Sequence, residues 1–166
     1  MTQEIFKDSV FGLKDEMYRF AKKFVMSSDE AEDVVQDLMM KFWQAKDKLA
    51  EYTNLKSFIM KCVKNECLNR LKHNDVKGGF EEMHMHWSEL HKREINNLKE
   101  QIIGFINQLP EKQKNVIHLK DVEEYDISEI SEIMEMEENA VRANLMRARQ
   151  KVKEQIPKLM RYEQRQ

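Results

Sequence analysis

The sequence predicts an all-α protein built from two small helical domains joined by a linker. Over most of the chain, apolar residues recur at steps of three and four, which is the spacing of one buried face on a helix. Only 4 of the 166 residues are Gly and 2 are Pro. Few glycines argue against a β-rich fold, because hairpins and tight turns need residues that tolerate positive φ. A chain of this length forms one domain of ordinary size or two small ones.

The first half of the chain predicts three helices. The first is predicted over residues 3–25, where one apolar stripe continues from end to end. Ser27 or Asp29 can cap the second helix, since each is followed three positions later by a Glu that can complete a capping box. The second stripe continues over residues 31–49. The segment KLAEYTN interrupts the pattern, and a third stripe follows over residues 55–71.

A segment of poor periodicity separates the two helical parts of the chain. Residues 73–94 contain the only Gly-Gly pair and four of the five histidines. Composition of this kind marks a boundary between periodic segments. We therefore predict a first helical domain over residues 1–75, a linker over 76–94 and a second helical domain over 95–166.

The second domain is predicted to contain four helices. The first runs from Ile95 to Leu109 and ends at Pro110, which cannot continue a helix but can start the next one. The segment EKQKNVIHLKDV predicts a short helix. Asp126 and Glu129 have the spacing of a capping box, which opens a third helix. The fourth helix is basic.

Charge is sorted along this second domain. Residues 121–138 carry acids and no base, whereas residues 139–153 carry five basic side chains and no acid, in a chain of net charge −2. On a helical projection of roughly 100° per residue, the basic segment has one apolar face. The residues on that inward face are Val141, Leu145, Ala148, Val152 and Ile156. The opposite face carries Ala143, Met146, Arg147 and Gln150 between basic flanks.

The basic helix has the form of a DNA-reading helix. A strip of small and medium side chains with basic edges suits a major groove, where the strip meets base edges and the flanks meet phosphates. Four residues, 135–138, separate it from the preceding helix, and two short helices joined by such a turn are typical of a helix-turn-helix. Glu135 stands where such turns usually have Gly. The alternative is a solvated surface helix.

Both halves of the chain resemble one family, the group IV or extracytoplasmic-function sigma factors of bacterial RNA polymerase. The segment INQLPEKQKNVIHLKDVEEYDISEISEIMEMEENAVRANLMRARQKVKE resembles sigma region 4. The segments MYRFAKKFVMSSDEAEDVVQDLMMKFWQ and NLKSFIMKCVKNECLNRLK are similar to region 2. The family often has Gly, Thr and Arg at the positions of Asn139, Ala140 and Asn144, and Trp at that of Phe58. We expect these departures to alter promoter sequence more than role.

The resemblance implies a sigma factor that directs core polymerase to promoters by reading a −35 duplex and melting the −10 element. Region 2 is then expected to dock on the β′ clamp helices, and region 4 on the β flap. The polymerase-binding residues are expected to be Asp33, Gln36, Asp37 and Met40. Those for the −10 element are expected to be Tyr52, Thr53, Asn54, Lys61, Asn65 and Asn69, since a flipped base needs hydrogen-bonding groups and a stacking surface.

Region 4 is expected to read the −35 element in the major groove. The match to the family motif and the helical projection agree on the base-reading residues, while the flanks meet phosphates. The residues expected on −35 DNA are Arg142, Ala143, Asn144, Met146, Arg147, Arg149 and Lys151. The family also implies an anti-sigma protein as a partner, no cofactor and no enzymatic activity, since binding alone drives strand separation.

The remaining features predict a cytoplasmic protein without membrane insertion. No run approaches 18 apolar residues, and the first ten residues lack the basic and apolar segments of a signal peptide. Cys62 and Cys67 match neither a CxxC site nor a disulfide framework, so we interpret them as reduced core thiols.

Two other functions fit parts of the pattern. Glu81 and His84 have the E-x-x-H spacing of helical di-metal enzymes, with His86 and His91 nearby, but such sites need two copies and further carboxylates. We therefore prefer a linker to a metal site for this segment. The rival functions are a stand-alone helix-turn-helix transcriptional regulator whose N-terminal helices dimerise, and a helical metalloenzyme.

Overall fold

A computed structural model describes residues 1–25, 27–75 and 98–163 of the chain, and every regular element in these residues is helical. The predicted all-α class is confirmed. The helices of the first half are α1 (Gln3–Ser9), α2 (Lys14–Val25), α3 (Ser28–Gln44), α4 (Lys46–Leu49) and α5 (Leu55–Asp75). Those of the second half are α6 (Leu98–Asn107), α7 (Glu111–Ile117), α8 (Ile127–Met134) and α9 (Glu138–Glu163).

Two of the predicted helices are broken in the structure. The single helix predicted over residues 3–25 is wrong, because a 3-10 turn at Phe11–Leu13 separates α1 from α2. Gly12 lies in this turn, and Gly weakens a helix because it has the most backbone freedom to lose. The second predicted helix also ends early. Ala45 leaves helical geometry at φ −99° and ψ 14°, and the short α4 then brings Leu49 into the core.

The first domain is a unit of three long helices. Helices α2, α3 and α5 pack against one another around buried Met17, Val34, Ile59 and Val63. Ser27 is the N-cap of α3, as one of the two predicted alternatives, and its hydroxyl accepts a hydrogen bond from the Glu30 backbone N–H at 3.3 Å. The apolar residues of the three predicted stripes therefore form the core of this unit.

The second domain places α9 against α6, α7 and α8. Pro110 precedes α7 directly, as predicted, and Asp126 with Glu129 forms the predicted capping box of α8. A π-helical turn at His118–Val122 follows α7, which the sequence did not indicate. The turn leads into Tyr125, whose ring is buried in the core.

The two domains pack directly on each other. Helix α8 lies along α5, and α7 touches α2. The ring of Phe20 from α2 stacks on His118 at a centroid distance of 6.0 Å, and both side chains are buried. The predicted linker 76–94, with its three histidines at 84, 86 and 91, lies outside the described residues, as does the predicted helix start at Ile95.

Candidate nucleic-acid and polymerase interfaces

Helices α8 and α9 form a helix-turn-helix with a turn shorter than predicted. The turn takes three residues, 135–137, because Glu138 already belongs to α9. Glu135 ends α8 in the left-handed conformation, at φ 55° and ψ 47°. Glycine usually fills this position because a Cβ is strained there. The turn is closed by a hydrogen bond from the Met136 backbone N–H to the Ser131 carbonyl at 3.1 Å.

Helix α9 has the two faces that its sequence predicts. Val141, Leu145 and Ala148 are buried against the other helices of the domain. On the opposite side the side chain of Met146 is 68% exposed, and Arg147 beside it is also exposed. The inner stripe therefore fixes the rotation of the helix, and the basic face is turned outward.

The three arginines of this face differ in their partners. Arg142 donates to Glu138 at 3.0 Å on its own helix, and Arg149 makes a two-point pair with Asp121 at 2.9 and 2.5 Å. The hydrogen bond and charge of Asp121 raise the pKa of Arg149. Arg147 makes no hydrogen bond or ion pair with any residue that the structure describes. Exposed ion pairs contribute about 0–1 kcal/mol to stability. DNA phosphates can therefore displace the carboxylates of Glu138 and Asp121 from these arginines.

Asn144 is turned back onto its own helix. Its side-chain amide donates a hydrogen bond to the Ala140 carbonyl at 2.8 Å, one turn earlier. Asn144 and Ala143 are both half-buried, unlike the exposed Arg147. Among the candidate DNA contacts of α9, the exposed Arg147 is therefore more accessible than the half-buried Ala143 and Asn144.

The loop between α4 and α5 presents an aromatic platform. The ring of Tyr52 stacks on Phe58 at a centroid distance of 3.9 Å and an interplanar angle of 24°, while 46% of the residue stays exposed. Thr53 next to it is exposed. A ring supported on one face and open to solvent elsewhere can stack on a nucleic-acid base.

Asn54 has a structural role that the sequence analysis did not assign to it. Its side-chain oxygen accepts a hydrogen bond from the Ser57 backbone N–H at 3.1 Å, which caps the first turn of α5. Its amide group donates to Glu129 of α8 at 3.3 Å. In this conformation both polar ends of the Asn54 side chain are therefore engaged, whereas Tyr52 and Thr53 remain accessible.

The candidate residues of α5 differ in their exposure and in their partners. Asn65 and Asn69 are exposed. Lys61 and Lys64 both reach Glu135, at 3.0 and 2.8 Å, and Lys64 is only 5% exposed. Hydrogen bonds from Lys64 and Lys61 hold the pKa of the Glu135 carboxyl below its usual range.

The chain is similar to known proteins over both domains. Residues 12–76 match the family model of sigma-70 region 2, and residues 99–152 match that of sigma-70 region 4. The chain belongs to the sigma-70 family. It is a sigma factor, and sigma factors of this family bind core RNA polymerase and promoter DNA and direct the polymerase to promoters. The family consists of non-enzymatic transcription factors.

Two solved structures share the fold. One is the sigma factor RpoE in complex with the anti-sigma factor NepR from Bartonella quintana, with a TM-score of 0.71, 21% identity and coverage of 93% of this chain and 98% of that one. Another is CnrH in complex with the cytosolic domain of CnrY, with a TM-score of 0.63, 17% identity and coverage of 94% and 90%. No curated protein sequence matches the chain.

The candidate polymerase face of region 2 lies on α3. Asp33, Gln36 and Met40 are exposed, and Met40 is 63% accessible. Asp37 differs, because it accepts a hydrogen bond from Arg70 of α5. The sequence-based candidates on α3 thus share one surface, on which Asp37 is tied to the neighbouring helix.

Trp43 extends this surface and was missed in the sequence analysis. It lies three residues after Met40 on the same helix and remains 42% exposed. Its ring meets Phe6 edge to face at 5.1 Å, and the ammonium of Lys46 lies 4.5 Å from its centroid. The i,i+3 spacing from Met40 was the available signal, since residues three apart on a helix share a face.

The contacts between regions 2 and 4 include a partly buried polar cluster. Arg19 of α2 donates to both carboxylate oxygens of Glu123, at 2.7 and 2.9 Å, and His118 lies 3.4 Å from the same carboxylate. Burial raises the pKa of Glu123, but the hydrogen bonds and charges of Arg19 and His118 together lower it to about 2. Burial lowers the pKa of His118. No local pattern predicts the pairing of Arg19 with Glu123, because the two residues belong to different domains.

Two further findings concern the rival functions. Within the described parts of the chain, no group of three His, Cys, Asp or Glu side chains could hold a metal ion, and no helix is long and apolar enough to cross a membrane. Cys62 and Cys67 are free thiols, and burial raises the pKa of Cys67 to about 12. The histidines at 84, 86 and 91 lie outside the described residues.

Proposed function

We propose that region 4, assigned to residues 95–166, reads a −35 duplex with the outward face of α9, while region 2, assigned to residues 1–75, captures a single strand of the −10 element. The observation that carries this proposal is the orientation of α9. Its apolar stripe is buried, and Met146 and Arg147 are exposed above it. A helix-turn-helix uses this arrangement to insert its second helix into a major groove.

On α9, the exposure and the ion pairs of the side chains suggest which residues contact bases and which contact phosphates. Arg147 is exposed and has no ion pair among the described residues, so it can approach a guanine edge with both ends of its guanidinium. Arg142, Ala143 and Met146 complete the base-facing strip. Arg149 and Lys151 are the phosphate contacts. Asn144, whose amide bonds to Ala140, supports the helix surface and contacts DNA only at its edge.

On region 2 the −10 strand would run over the Tyr52 loop and along α5. Tyr52 supplies the stacking surface and Thr53 a hydroxyl for a flipped base. Lys61 neutralises a phosphate, and Asn65 and Asn69 meet neighbouring bases. Asn54 would contribute mainly by capping α5 and so holding the loop in place, because its side-chain oxygen accepts from Ser57.

On region 2 the exposed surface of α3 would bind the β′ clamp helices, and region 4 would bind the β flap. Asp33, Gln36, Asp37 and Met40 form the α3 surface, with Trp43 as an added apolar contact. We also propose an anti-sigma protein as a partner. Two structural neighbours support this, since one is bound to an anti-sigma factor and the other to the cytosolic domain of CnrY.

Reconstituted transcription tests the proposed function. The purified chain is mixed with core polymerase and a library of DNA fragments carrying randomised −35 and −10 elements, and transcribed fragments are sequenced. We expect enrichment of one −35 and one −10 motif, and we expect Arg147→Ala to relax only the −35 motif. Lys112→Ala, which removes an exposed basic side chain of α7 outside the candidate −35 residues, is the matched control. Tight duplex binding by the chain alone, without stimulation of core polymerase, would instead indicate a stand-alone regulator.

A further inference from the structure

Two lysines lie close together where α2 meets α6 and α7, and neither has a carboxylate as a direct partner. Lys23 of α2 donates from Nζ to the side-chain oxygen of Asn107, at the end of α6, at 2.9 Å. Lys114 of α7 is only 8% exposed. Its ammonium makes no hydrogen bond or ion pair with any residue that the structure describes. Buried lysines are normally paired, so Lys114 is an unusual cation.

The carboxylate that acts on Lys23 is already engaged elsewhere. Glu123 accepts two hydrogen bonds from Arg19, at 2.7 and 2.9 Å, and lies 3.4 Å from His118. Lys23, Lys114 and Arg19 therefore set three basic groups against one carboxylate. This surplus of positive charge favours any reaction that turns one of the lysines into an anion.

Lys23 has the properties of a reactive amine. Burial and the charge of Lys114 lower its pKa, the charge of Glu123 raises it, and that of Lys22 lowers it again, with the result that the pKa falls from 10.5 to about 8. A lysine of this kind holds far more neutral amine near neutral pH than an exposed one, and the neutral amine is the nucleophile. The Lys23 side chain is half-buried, so a small molecule can reach it from solvent.

We propose that Lys23 is a carbamylation site, at which the neutral amine takes up carbon dioxide and the resulting N-carboxylate pairs with the ammonium of Lys114. The Nζ lone pair forms a bond to the carbon of CO2, one C=O bond opens to give the carboxylate, and the nitrogen releases one proton to water. The carbamate nitrogen keeps one N–H, so the hydrogen bond to Asn107 can persist. Repulsion between Lys23 and Lys114 becomes attraction.

The chemistry of the site favours carbon dioxide over a preformed anion such as phosphate. An ion must lose its hydration before it enters a half-buried site, and this costs free energy. Carbon dioxide is small and uncharged, and it acquires its charge only after it has reached the amine. The new carboxylate then forms beside a cation that has no other direct partner.

Trapping of the adduct in the full chain tests the proposal. The protein is equilibrated with 13C-labelled bicarbonate near neutral pH, the carbamate is ethylated with triethyloxonium, and peptides are analysed by mass spectrometry. The internal reference is Lys112, an exposed lysine of α7. Because each unit of lowered pKa raises the neutral fraction tenfold, we expect the yield at Lys23 to exceed that at Lys112 by about tenfold or more.

Two matched variants test the role of Lys114. Lys114→Met keeps an apolar stem and removes the ammonium, which takes away both the repulsion that lowers the pKa of Lys23 and the partner of its carboxylate. We therefore expect the yield at Lys23 to fall severalfold. Lys112→Met removes the same charge from an exposed position of the same helix and should leave the yield unchanged.

A stability measurement is independent of the trapping chemistry. Urea midpoints are compared under carbon dioxide and under nitrogen, at the same pH and ionic strength. A ligand that the folded state takes up in preference to the unfolded one stabilises the fold, so the wild-type midpoint should rise under carbon dioxide. Lys23→Arg keeps the positive charge but cannot form the adduct, and its midpoint should not move.

Each outcome decides a separate point. Equal yields at Lys23 and Lys112, or an adduct on Lys114 instead, overturn the site. An unchanged yield in Lys114→Met overturns the pairing with Lys114. A midpoint that rises equally in wild type and Lys23→Arg overturns stabilisation by this adduct. None of these measurements involves polymerase or promoter DNA, so their results are separate from those that test the proposed function.

Discussion

The two surfaces that we propose for DNA are in opposite states. The −35 face of α9 is turned to solvent, and its Arg147 has no partner among the described residues. The −10 surface of α5 lies partly beneath α8, where Lys61 and Lys64 are bonded to Glu135. One helix-turn-helix can therefore present basic side chains to solvent with its second helix while its first helix covers basic side chains of another domain.

The sorted charge of the sequence explains this difference. The acidic segment 121–138 supplies the carboxylates that face region 2, and the basic segment 139–153 supplies the outward face. A net charge of −2 also weakens attraction between the free chain and DNA.

The largest expected effect comes from removing the ring that joins the two regions. Phe20 is fully buried, stacks on His118 and meets Phe24 edge to face at 5.2 Å. Phe20→Ala should lower the free energy of unfolding by about 3–5 kcal/mol, because a large apolar side chain is lost and a cavity remains. Urea unfolding followed by circular dichroism measures it. Phe11→Ala, at a 52% exposed ring, should change stability far less.

The open −35 face gives the next largest effect. Arg147→Ala should reduce discrimination between the preferred −35 sequence and single-base variants by about 1–3 kcal/mol, the usual worth of a two-point arginine contact. Competition binding of the reconstituted holoenzyme to duplex promoters measures it. Affinity for core polymerase should not change. Loss of core binding would mean that this face of α9 binds polymerase instead of DNA.

Variants of Asn54 distinguish its cap of α5, which lies within region 2, from its hydrogen bond to Glu129 of region 4. Asn54→Ala should destabilise α5 by about 1 kcal/mol, because a helix N-cap is lost. Asn54→Asp keeps the cap but places a carboxylate opposite Glu129, so it should preserve stability better and raise the labelling of Lys64. Unfolding curves and lysine acetylation measure the two effects. Equal labelling in wild type and Asn54→Asp would show that the bond to Glu129 contributes nothing to covering.

Sequence patterns predicted the elements of each domain better than the contacts between domains. The stripe of Val141, Leu145 and Ala148 fixed the face of α9, because burial follows the helical period. Glu135 was recognised as an unusual turn residue, but its partners Lys61 and Lys64 are some seventy positions earlier. The pairing of Arg19 with Glu123 depends on how the domains dock, and no local period encodes that. The break at Gly12 was missed because the apolar stripe continues across it.

The last expected effect is a pH dependence of the contact between the regions. Glu123 has a folded pKa of about 2, against an ordinary pKa of 4.5, because Arg19 and His118 stabilise its charged form. Between these values the unfolded chain binds more protons, so stability rises with pH across this window and is lost as pH falls from about 4.5 towards 2. Burial lowers the pKa of His118, so its protonation removes further stability as pH falls below its ordinary pKa of 6.5. The informative quantity is therefore the difference between wild type and Glu123→Gln, measured as urea midpoints at each pH. That difference should be largest above pH 4.5 and shrink towards pH 2, and a constant difference would mean that the charge of Glu123 does not hold the regions together.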